Sequence, residues 1–260
     1  MDLCLAGRAY LVTGASSGVG LATARLLLTE GAHVAACARD GARLASALAE
    51  LPRAHGAQVY SAACDVLDRE SVAAFVAYSA GQFGRLDGIV NNAGRSLMAR
   101  VGETSTEQWA QELRLKIDSV LHTVDAAAAH LRDSDAPAIV NINAILARQP
   151  EPRLGATSAA RAALLNLSKT LAHDLAPVRV NSVLLGLIDT GQWRRRYDAA
   201  ATGQTYEQWS AALAAERGVA LGRLGEAEEV AYAIVALLSP RASYITGSSI
   251  DVGGGVARYV

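Results

Sequence analysis

Short apolar runs alternate with longer segments of helical periodicity along nearly all of the 260-residue chain. The runs AYLVT, HVAAC, AIVNIN and VRVNSVLL are almost continuously apolar, and helix-length segments separate them. Strands that alternate with helices in this way form parallel β-α-β units with right-handed crossovers. Strands without a polar side fit a sheet that is covered on both faces. Since no linker rich in Pro, Gly or Ser divides the chain, we expect one doubly wound α/β domain over residues 1–260.

Composition and charge narrow the classes of partner. The chain is 51% hydrophobic and 19% charged, with a formal net charge of -1, which is ordinary for a soluble globular protein. It has no basic stripe with interleaved aromatic residues, so we expect no nucleic acid partner. No segment reaches the ~20 apolar residues of a membrane helix, so we expect a cytoplasmic protein without a membrane partner. The one dense basic run, Arg194 to Arg196, is interpreted as a solvated helix face.

The cysteines favour neither a metal site nor a disulfide framework. There are three of them, Cys4, Cys37 and Cys64, and none shows the C-x-x-C spacing of metal ligands. An odd number of unclustered thiols fits a reducing compartment. We therefore expect no metal.

The segment TGASSGVG, which begins at Thr13, lies at the first predicted strand-to-helix turn and has the glycine pattern G-x-x-x-G-x-G up to Gly20. Glycine at such a turn lets the backbone approach a pyrophosphate, and the N-terminus of the following helix favours its negative charge. A tight turn without a ligand would have a similar sequence, but the position after a strand and before a helix favours a dinucleotide site. The predicted contacts here are Gly14, Ser16, Ser17, Gly18 and Val19.

With four further motifs, the chain resembles a classical short-chain dehydrogenase/reductase over nearly its whole length. These motifs are CDV at Cys64, NNAG at Asn91, VRVNSVLLGLIDT at Val178 and YITGSSIDVGGG at Tyr244. The resemblance implies a single Rossmann-type domain with a seven-stranded parallel sheet, helices on both faces, a bound nicotinamide dinucleotide and a homotetramer or homodimer. The further cofactor contacts that it implies are Asp65, Val66, Asn92, Ala93, Gly94, Leu185, Gly186, Ile188 and Thr190.

The end of the second strand bears on the choice of cofactor. Enzymes that use NAD generally place an acid there to bind the ribose 2′-hydroxyl, whereas this chain has Ala38 followed by Arg39. A guanidinium can hold a 2′-phosphate with a fork of donors, so we predict NADP(H) and list Arg39 and Asp40 as contacts. Asp40 leaves an alternative open. It is interpreted as a helix cap, but a carboxylate turned inward would favour NAD(H).

The chemical end departs from the family. The resemblance places the family's tyrosine at Thr157, its lysine at Arg161, its serine at Ala144 or Asn143, and its asparagine at Lys116. Thr157 and Arg161 still share one helix face at i, i+4. A threonine hydroxyl is a weak acid, and an arginine stays protonated and cannot shuttle a proton. Arg161 remains suited to the cofactor ribose or to a substrate anion.

Lys116 lies on a helix predicted from about residue 106 to 131, at the edge of an apolar stripe that includes Trp109 and Leu113. Two interpretations stay open. The side chain extends out to solvent, or it projects its ammonium into the cleft, where burial beside Arg161 would lower its pKa. In the second case the two cations would suit an anionic small-molecule substrate. The candidate catalytic residues are Lys116, Asn143, Thr157 and Arg161.

The variable region 190–222 is the expected substrate lid, with two helical pieces. Its aromatic residues would line an apolar mouth, although lid packing explains them equally well. They are Trp193, Tyr197, Tyr206 and Trp209.

Three functions remain open. The first, which an intact nucleotide end favours, is an NADP-dependent oxidoreductase with a rebuilt acid–base group acting on a small carbonyl, alcohol or enone. The second is a non-redox enzyme such as a dehydratase, isomerase or cyclase, because a fold does not fix a function. The third is a dinucleotide-binding protein without catalysis.

Overall fold

Seven parallel strands form the centre of the structure, a computed structural model that describes residues 2–260. The strands are β1 Ala9–Thr13, β2 His33–Ala38, β3 Val59–Ala63, β4 Gly88–Asn91, β5 Ala138–Ala144, β6 Arg179–Leu185 and β7 Ser249–Val252. Their order in the sheet is β3-β2-β1-β4-β5-β6-β7, and every neighbouring pair is parallel. The parallel doubly wound sheet predicted from the alternating pattern is confirmed.

Helices cover both faces of the sheet. They are α1 Gly18–Thr29, α2 Gly41–Ala49, α3 Arg69–Phe83, α4 Thr106–Arg132, α5 Gly155–Asp174, α6 Gly191–Ala200, α7 Tyr206–Glu216 and α8 Ala227–Leu238. Because side chains alternate along a strand, Val12 joins the apolar layer of Leu27 and Ile234, whereas Leu11 joins that of Phe75 and Val124. Two buried layers therefore hold the sheet, which explains its nearly continuous apolar strands.

No helix among residues 2–260 has the length and apolar character needed to cross a membrane. The segment 190–222 contains α6 and α7, the two helical pieces expected there. Its action as a lid stays a prediction.

The strand order sets the place of the site. β1 lies beside β4, and the sheet grows from this pair towards β3 on one side and towards β7 on the other. Connections that leave neighbouring strands in opposite directions open a crevice at the carboxyl ends of those strands, which is where ligands bind in folds of this kind.

Hydrogen bonds join the two loops that border this crevice. The Thr13 hydroxyl oxygen accepts from the backbone N–H groups of Asn92 and Ala93, each at 3.0 Å. The Asn92 side-chain amide donates to the carbonyl oxygens of Thr13 at 2.8 Å and Gly14 at 3.1 Å. The end of β1 and the turn after β4 are therefore held as one unit.

The same unit explains why the turn requires glycines. A Cβ on Gly14 would lie 2.8 Å from the Cα atom of Ala93. A Cβ on Gly20 would lie 2.5 Å from both the Asn92 side-chain nitrogen and the Gly14 carbonyl oxygen. Gly18 has a φ of +56°, in the left-handed region that favours glycine. Two of these glycines thus let protein segments approach each other, a requirement beyond the predicted approach to a pyrophosphate.

Replacing Gly20 with alanine tests this packing. We expect Gly20→Ala to lower the free energy of unfolding by about 1–3 kcal/mol, because the added methyl group overpacks against backbone that is held by hydrogen bonds. Gly81→Ala is the matched control, since no atom lies within 4 Å of its Cβ position in helix α3. The control should raise stability by about 0.5–1 kcal/mol. Urea unfolding measures both variants, and equal effects would contradict the packing argument.

Candidate active site

An open cleft lies at the carboxyl ends of the strands, with a cavity volume of about 180 Å³. It brings together residues that are far apart in the sequence. Val19 comes from the glycine turn, Asn143 from the end of β5, Arg161 from α5, and Leu185 from the end of β6. Gly186, Ile188, Thr190 and Trp193 complete this side of the wall. The cleft therefore joins the predicted nucleotide end to the predicted chemical end.

The glycine turn and the segment after β6 meet directly. The Thr190 methyl carbon lies 3.3 Å from the position that a Cβ on Gly18 would occupy. Ser17 occupies the N-cap position of α1, and its side chain forms no capping hydrogen bond. The first N–H groups of a helix lack partners within the helix. This helix end and the uncommitted Ser17 hydroxyl are suited to an anionic group.

The end of β2 presents a cation and a committed carboxylate. Arg39 is exposed and forms no ion pair among the described residues. Asp40 is the N-cap of α2, and its carboxylate accepts from the Arg43 backbone N–H at 3.0 Å. Of the two interpretations of Asp40, the structure has the one in which its side chain caps α2. Asp65 and Val66 follow the end of β3. Asp65 is exposed, and one oxygen of its carboxylate accepts from the Leu67 N–H at 3.0 Å, whereas Val66 is buried.

Thr157 is fully buried and does not line the cleft. Its hydroxyl donates to the Glu112 carboxylate at 2.6 Å and accepts from the Leu97 backbone N–H at 2.9 Å. These bonds use the single proton that the hydroxyl can donate and one of its acceptor positions. In this arrangement Thr157 holds the segment after β4 against α5 instead of presenting its hydroxyl to the cleft.

Lys116 fits neither of the two orientations expected for it. Its side chain is 3% exposed, so it does not extend to solvent. Its ammonium donates to the Glu112 carboxylate at 2.7 Å and to the Arg95 carbonyl oxygen at 2.9 Å, and the residue does not line the main cleft. Burial, assisted by Arg161, lowers the pKa of Lys116 to about 8 even though Glu112 favours the charged form.

Glu112 is the residue that sequence reasoning missed. It is 2% exposed and lies one helical turn before Lys116 on α4, in contact with both Lys116 and Thr157. The i, i+4 spacing of a glutamate and a lysine was the available signal. The predicted apolar stripe was wrong at this point, because Leu113 is 39% exposed while Glu112 and Lys116 face inwards. A carboxylate therefore balances Lys116, and the expectation that this lysine makes the pocket cationic is wrong.

Arg161 is the charged residue of α5 that does reach the cleft. One terminal nitrogen, Nη1, donates to the Ile142 carbonyl oxygen at 2.7 Å, and the Nε–H is buried without a partner. Burial lowers the pKa of Arg161 to about 10, which leaves it protonated at neutral pH. Its fixed charge at the wall of the cleft suits an oxyanion.

Asn143 lines the cleft, but its side chain is held on two sides. The amide donates to the Arg161 carbonyl oxygen at 3.0 Å, and the amide oxygen accepts from the Ala144 N–H at 2.8 Å. Only one N–H of the amide stays free in this geometry. Asn143 therefore fixes the end of β5 to α5, and its donation to a substrate carbonyl stays a prediction.

The segment after β4 borders a second, much smaller cavity of about 10 Å³. Ala93, Gly94, Lys116 and Arg161 all line it. Its volume is close to that of a single water. Arg161 lines both this cavity and the cleft, whereas Lys116 lines this cavity alone.

The aromatic residues of α6 and α7 form one cluster. Tyr197, Tyr206 and Trp209 have ring centroids 5.3–5.9 Å apart, and Trp193 packs on Trp209 at 6.4 Å. Of these four, Trp193 lines the cleft. The Tyr197 hydroxyl donates to the Gln204 carbonyl oxygen at 2.6 Å. Lid packing therefore accounts for most of the predicted aromatic mouth.

The basic run on α6 is not a uniformly solvated face. Arg194 forms an ion pair with Asp189 at 3.0 Å and places its guanidinium carbon 3.6 Å from the centre of the Tyr206 ring. Arg195 is exposed. Arg196 is half-buried and lines the cleft. The interpretation as a solvated face is thus wrong for Arg196, since the helix turns every third or fourth residue towards the body of the protein.

Known proteins resemble this chain over nearly its full length. Residues 14–257 match the family model described as enoyl-(acyl carrier protein) reductase. The 3-oxoacyl-[acyl-carrier-protein] reductase FabG of Chlamydia muridarum is 31% identical over 259 residues, which cover 99% of this chain and 100% of that protein.

Solved structures also resemble this chain over nearly its full length. The apo structure of a short chain oxidoreductase from Pseudomonas aeruginosa PAO1, described as containing an atypical catalytic center, is 46% identical with a TM-score of 0.95 and covers 98% of this chain and 99% of that one. An NADPH-bound structure of the same description is 46% identical with a TM-score of 0.92, covering 97% and 98%. L-Sorbose reductase from Gluconobacter frateurii, complexed with NADPH and L-sorbose, is 32% identical with a TM-score of 0.94 and covers 100% of both chains. Sequence motifs, fold and these likenesses agree, and the chain belongs to the short-chain dehydrogenase/reductase family.

Proposed function

We propose that this protein is an NADP(H)-dependent oxidoreductase that acts on a small carbonyl, alcohol or enone substrate. The observation that carries the proposal is the single cleft shared by Val19 of the glycine turn, the segment 185–190 and the guanidinium of Arg161. The NADPH-bound relatives from Pseudomonas aeruginosa and Gluconobacter frateurii support the same cofactor here. When bound, the nicotinamide supplies or accepts the hydride.

The residues present fit a phosphorylated dinucleotide. The Ser17 hydroxyl makes no capping hydrogen bond at the start of α1. Arg39 is exposed at the end of β2, and Asp40 is directed to its own helix. A cation without a competing carboxylate is the arrangement that a ribose 2′-phosphate favours. Gly14, Ser16, Ser17, Gly18, Val19, Arg39, Asp65, Val66, Asn92, Ala93, Gly94, Leu185, Gly186, Ile188 and Thr190 are the proposed contacts.

We also infer that the family's usual catalytic residues are replaced. Thr157 and Arg161 stand one turn apart near the start of α5, Asn143 and Ala144 end β5, and Lys116 lies on α4. Each element supplies the position that the family resemblance assigns to it. None of these side chains reproduces the tyrosine that passes a proton in the family, so the proton has to be handled by other groups.

Arg161 is the proposed stabiliser of the substrate oxygen. Reduction of a carbonyl develops negative charge on that oxygen, and a preorganised donor in a partly dry site stabilises such charge strongly. Arg161 lines the cleft, and of its guanidinium nitrogens only Nη1 donates a hydrogen bond to a described residue, so the group keeps donor capacity for a substrate oxygen. Its charge is fixed at neutral pH, so it holds the oxygen and does not transfer the proton.

Lys116 is the proposed source of the proton. Its pKa is lowered to about 8, within reach of physiological pH, and it borders the small cavity that Arg161 also lines. A proton would pass from the Lys116 Nζ atom through a water in that cavity to the alkoxide oxygen that hydride transfer forms beside Arg161, leaving Lys116 as a neutral amine. Glu112 and Thr157 act as positioning residues, because they hold Lys116 and the segment at Leu97 in place.

A homotetramer or homodimer, a cytoplasmic location and the lid action of residues 190–222 stay predictions of the family resemblance. Large apolar side chains such as Leu221 and Tyr244 are exposed, which supports an interface between copies of the chain.

Turnover of NADPH with a panel of small ketones, aldehydes and enones tests the proposed function. We expect the absorbance of reduced nicotinamide to fall with at least one class of substrate. Tight NADPH binding without turnover would contradict the proposal and favour a binding protein. Product formation at constant absorbance would favour a non-redox enzyme instead.

Arg39 tests the choice of cofactor. We expect Arg39→Ser to weaken NADPH binding about 10–100-fold, since a charge-assisted hydrogen bond to a phosphate is lost, and to leave NADH binding nearly unchanged. Arg43→Ser is the matched control, because Arg43 is also exposed and lies one turn further along α2. Fluorescence titration with both cofactors measures the effect. A wild-type preference for NADH would overturn the assignment.

Arg161 tests the stabilisation of the substrate oxygen. Arg161→Met keeps much of the side-chain volume and should lower kcat about 10²–10³-fold, as for the loss of one oxyanion donor. Arg161→Lys restores the cation and should recover part of the rate. The NADPH dissociation constant, measured separately, shows whether Arg161 also binds the cofactor ribose. An unchanged kcat in Arg161→Met would contradict the assigned role.

Lys116 tests the source of the proton. If its ammonium supplies the proton, the rate of carbonyl reduction should fall as pH rises through about 8, where the lowered pKa of Lys116 lies. The reverse reaction needs the neutral amine and should rise over the same range. The pH profile of kcat in both directions measures this, and Lys116→Met should remove the inflection.

A double variant separates chemistry from folding. Lys116→Met alone leaves the Glu112 carboxylate buried without its ion pair, which costs about 3–5 kcal/mol of unfolding free energy. Adding Glu112→Gln removes that charge and keeps an acceptor for Thr157, so most of the stability should return. A stable double variant that retains the inflection near pH 8 would show that another group supplies the proton.

A further inference from the structure

The cleft contains more positive than negative charge even though Lys116 does not line it. Arg161, Arg196 and Arg217 line it, together with the single carboxylate of Glu151. Arg217 uses that carboxylate, with its Nη1 atom 2.5 Å from a Glu151 oxygen. Among the described residues, the guanidinium groups of Arg161 and Arg196 have no carboxylate partner. Two cations of the cleft are therefore left unbalanced.

Arg196 is held in place without using its hydrogen bonds. Its guanidinium carbon lies 4.4 Å from the centre of the Trp193 ring, and both residues line the cleft. When a guanidinium stacks on an aromatic ring, its N–H groups point outwards in the guanidinium plane and stay free to donate to an acceptor. The residue is half-buried and makes no side-chain hydrogen bond to any described residue. Such an arrangement is preorganised for a planar or tetrahedral oxyanion.

Arg217 adds a second cation beside Arg196. Its Nε–H is buried and has no partner, although its Nη1 atom is paired with Glu151. Burial and then the charge of Arg217 lower the pKa of Arg196, although the Glu151 carboxylate acts in the opposite direction. Glu151 offsets only part of the unfavourable environment of Arg196, and a further anion beside Arg196 would offset more of it.

The rest of the wall is largely apolar. Met98, Leu146, Leu154 and Leu187 line the cleft alongside the arginines. Binding sites of this kind take an apolar body and use a few placed polar groups to fix its orientation. The cations come from two sides, since Arg161 belongs to α5 whereas Arg196 and Arg217 belong to the region of α6 and α7.

We propose that Arg196, supported by Arg217, binds a carboxylate or phosphate group of the substrate, and that the substrates of this enzyme are oxo acids or oxo phosphates. This inference rests on the proposed oxidoreductase function. The carbonyl to be reduced lies at Arg161, the apolar chain contacts the leucines, and the terminal oxyanion meets the fork of Arg196. The specificity of the cleft for an anion then comes from residues 190–222 rather than from the catalytic helices.

Three probes test the inference by binding rather than by turnover. They are 5-oxohexanoate, its uncharged methyl ester and 4-oxopentyl phosphate, each titrated calorimetrically into protein saturated with NADP⁺. We expect at least one of the two anions to bind about tenfold or more tightly than the ester, because a charge-assisted hydrogen bond is gained. Whichever anion binds more tightly shows which oxyanion the cleft prefers.

Neighbouring residues on α6 supply the variants. Arg196→Gln should weaken binding of the preferred anion about tenfold or more and remove its advantage over the ester. Arg195→Gln makes the same change of charge one position away at an exposed site and should alter the affinity by about twofold or less. Arg196→Lys keeps the charge and should restore part of the preference. Thermal unfolding of each variant shows that the fold is kept.

The outcomes separate this inference from the proposed function. Failure of the wild-type protein to bind NADP⁺ would contradict the proposed function itself. Intact NADP⁺ binding with equal affinities for anion and ester, or with no measurable binding of either anion at millimolar concentration, would overturn the role of Arg196. An equal loss in Arg195→Gln and Arg196→Gln would also overturn it, because long-range charge would then explain the effect.

Discussion

The hydrogen bonds between Thr13 and the turn that begins at Asn92 hold the whole site together. They join the ends of β1 and β4 where the strand order reverses, with the Thr13 hydroxyl accepting two backbone N–H groups. The Asn92 amide then fixes the carbonyl oxygens of Thr13 and Gly14. These hydrogen bonds fix the backbone that borders the crevice at the carboxyl ends of β1 and β4. Thr13, Ala93 and Gly94 also line the small cavity, and the glycine turn follows directly from Thr13.

A buried ion pair between Glu112 and Lys116 is the second organising feature. Glu112 and Lys116 are both nearly inaccessible, and burying two charges is costly unless their remaining hydrogen bonds are satisfied. Here Thr157 donates to the carboxylate and the Arg95 carbonyl accepts from the ammonium. The cluster therefore fastens the segment after β4 to α4 and α5. Thr157 is a structural link in this arrangement.

Sequence periodicity predicted the sheet, its helices and the two pieces of residues 190–222, because those features depend on local spacing and on which faces are apolar. It also placed Lys116 and Arg161 on elements that border the site. It did not place their side chains. Lys116 was expected in the cleft or in solvent, and it turned instead towards Glu112, four residues earlier on the same helix. The positive charge of the cleft was predicted from Lys116 and Arg161. Arg161 does line the cleft, whereas Lys116 does not, and Arg196 supplies the second cation without an ion pair.

The sequence by itself determined the parallel α/β architecture and the glycine turn, since each follows from residue type and spacing. Tertiary structure decided which charges cancel and which stay free. For the arginines that outcome depends on distances between elements that are far apart in the sequence, whereas the pair of Glu112 and Lys116 had a local signal in its i, i+4 spacing. Lys116 lost its free charge to a neighbour on its own helix, whereas Arg196 kept its charge because the nearest carboxylate, Glu151, pairs with Arg217.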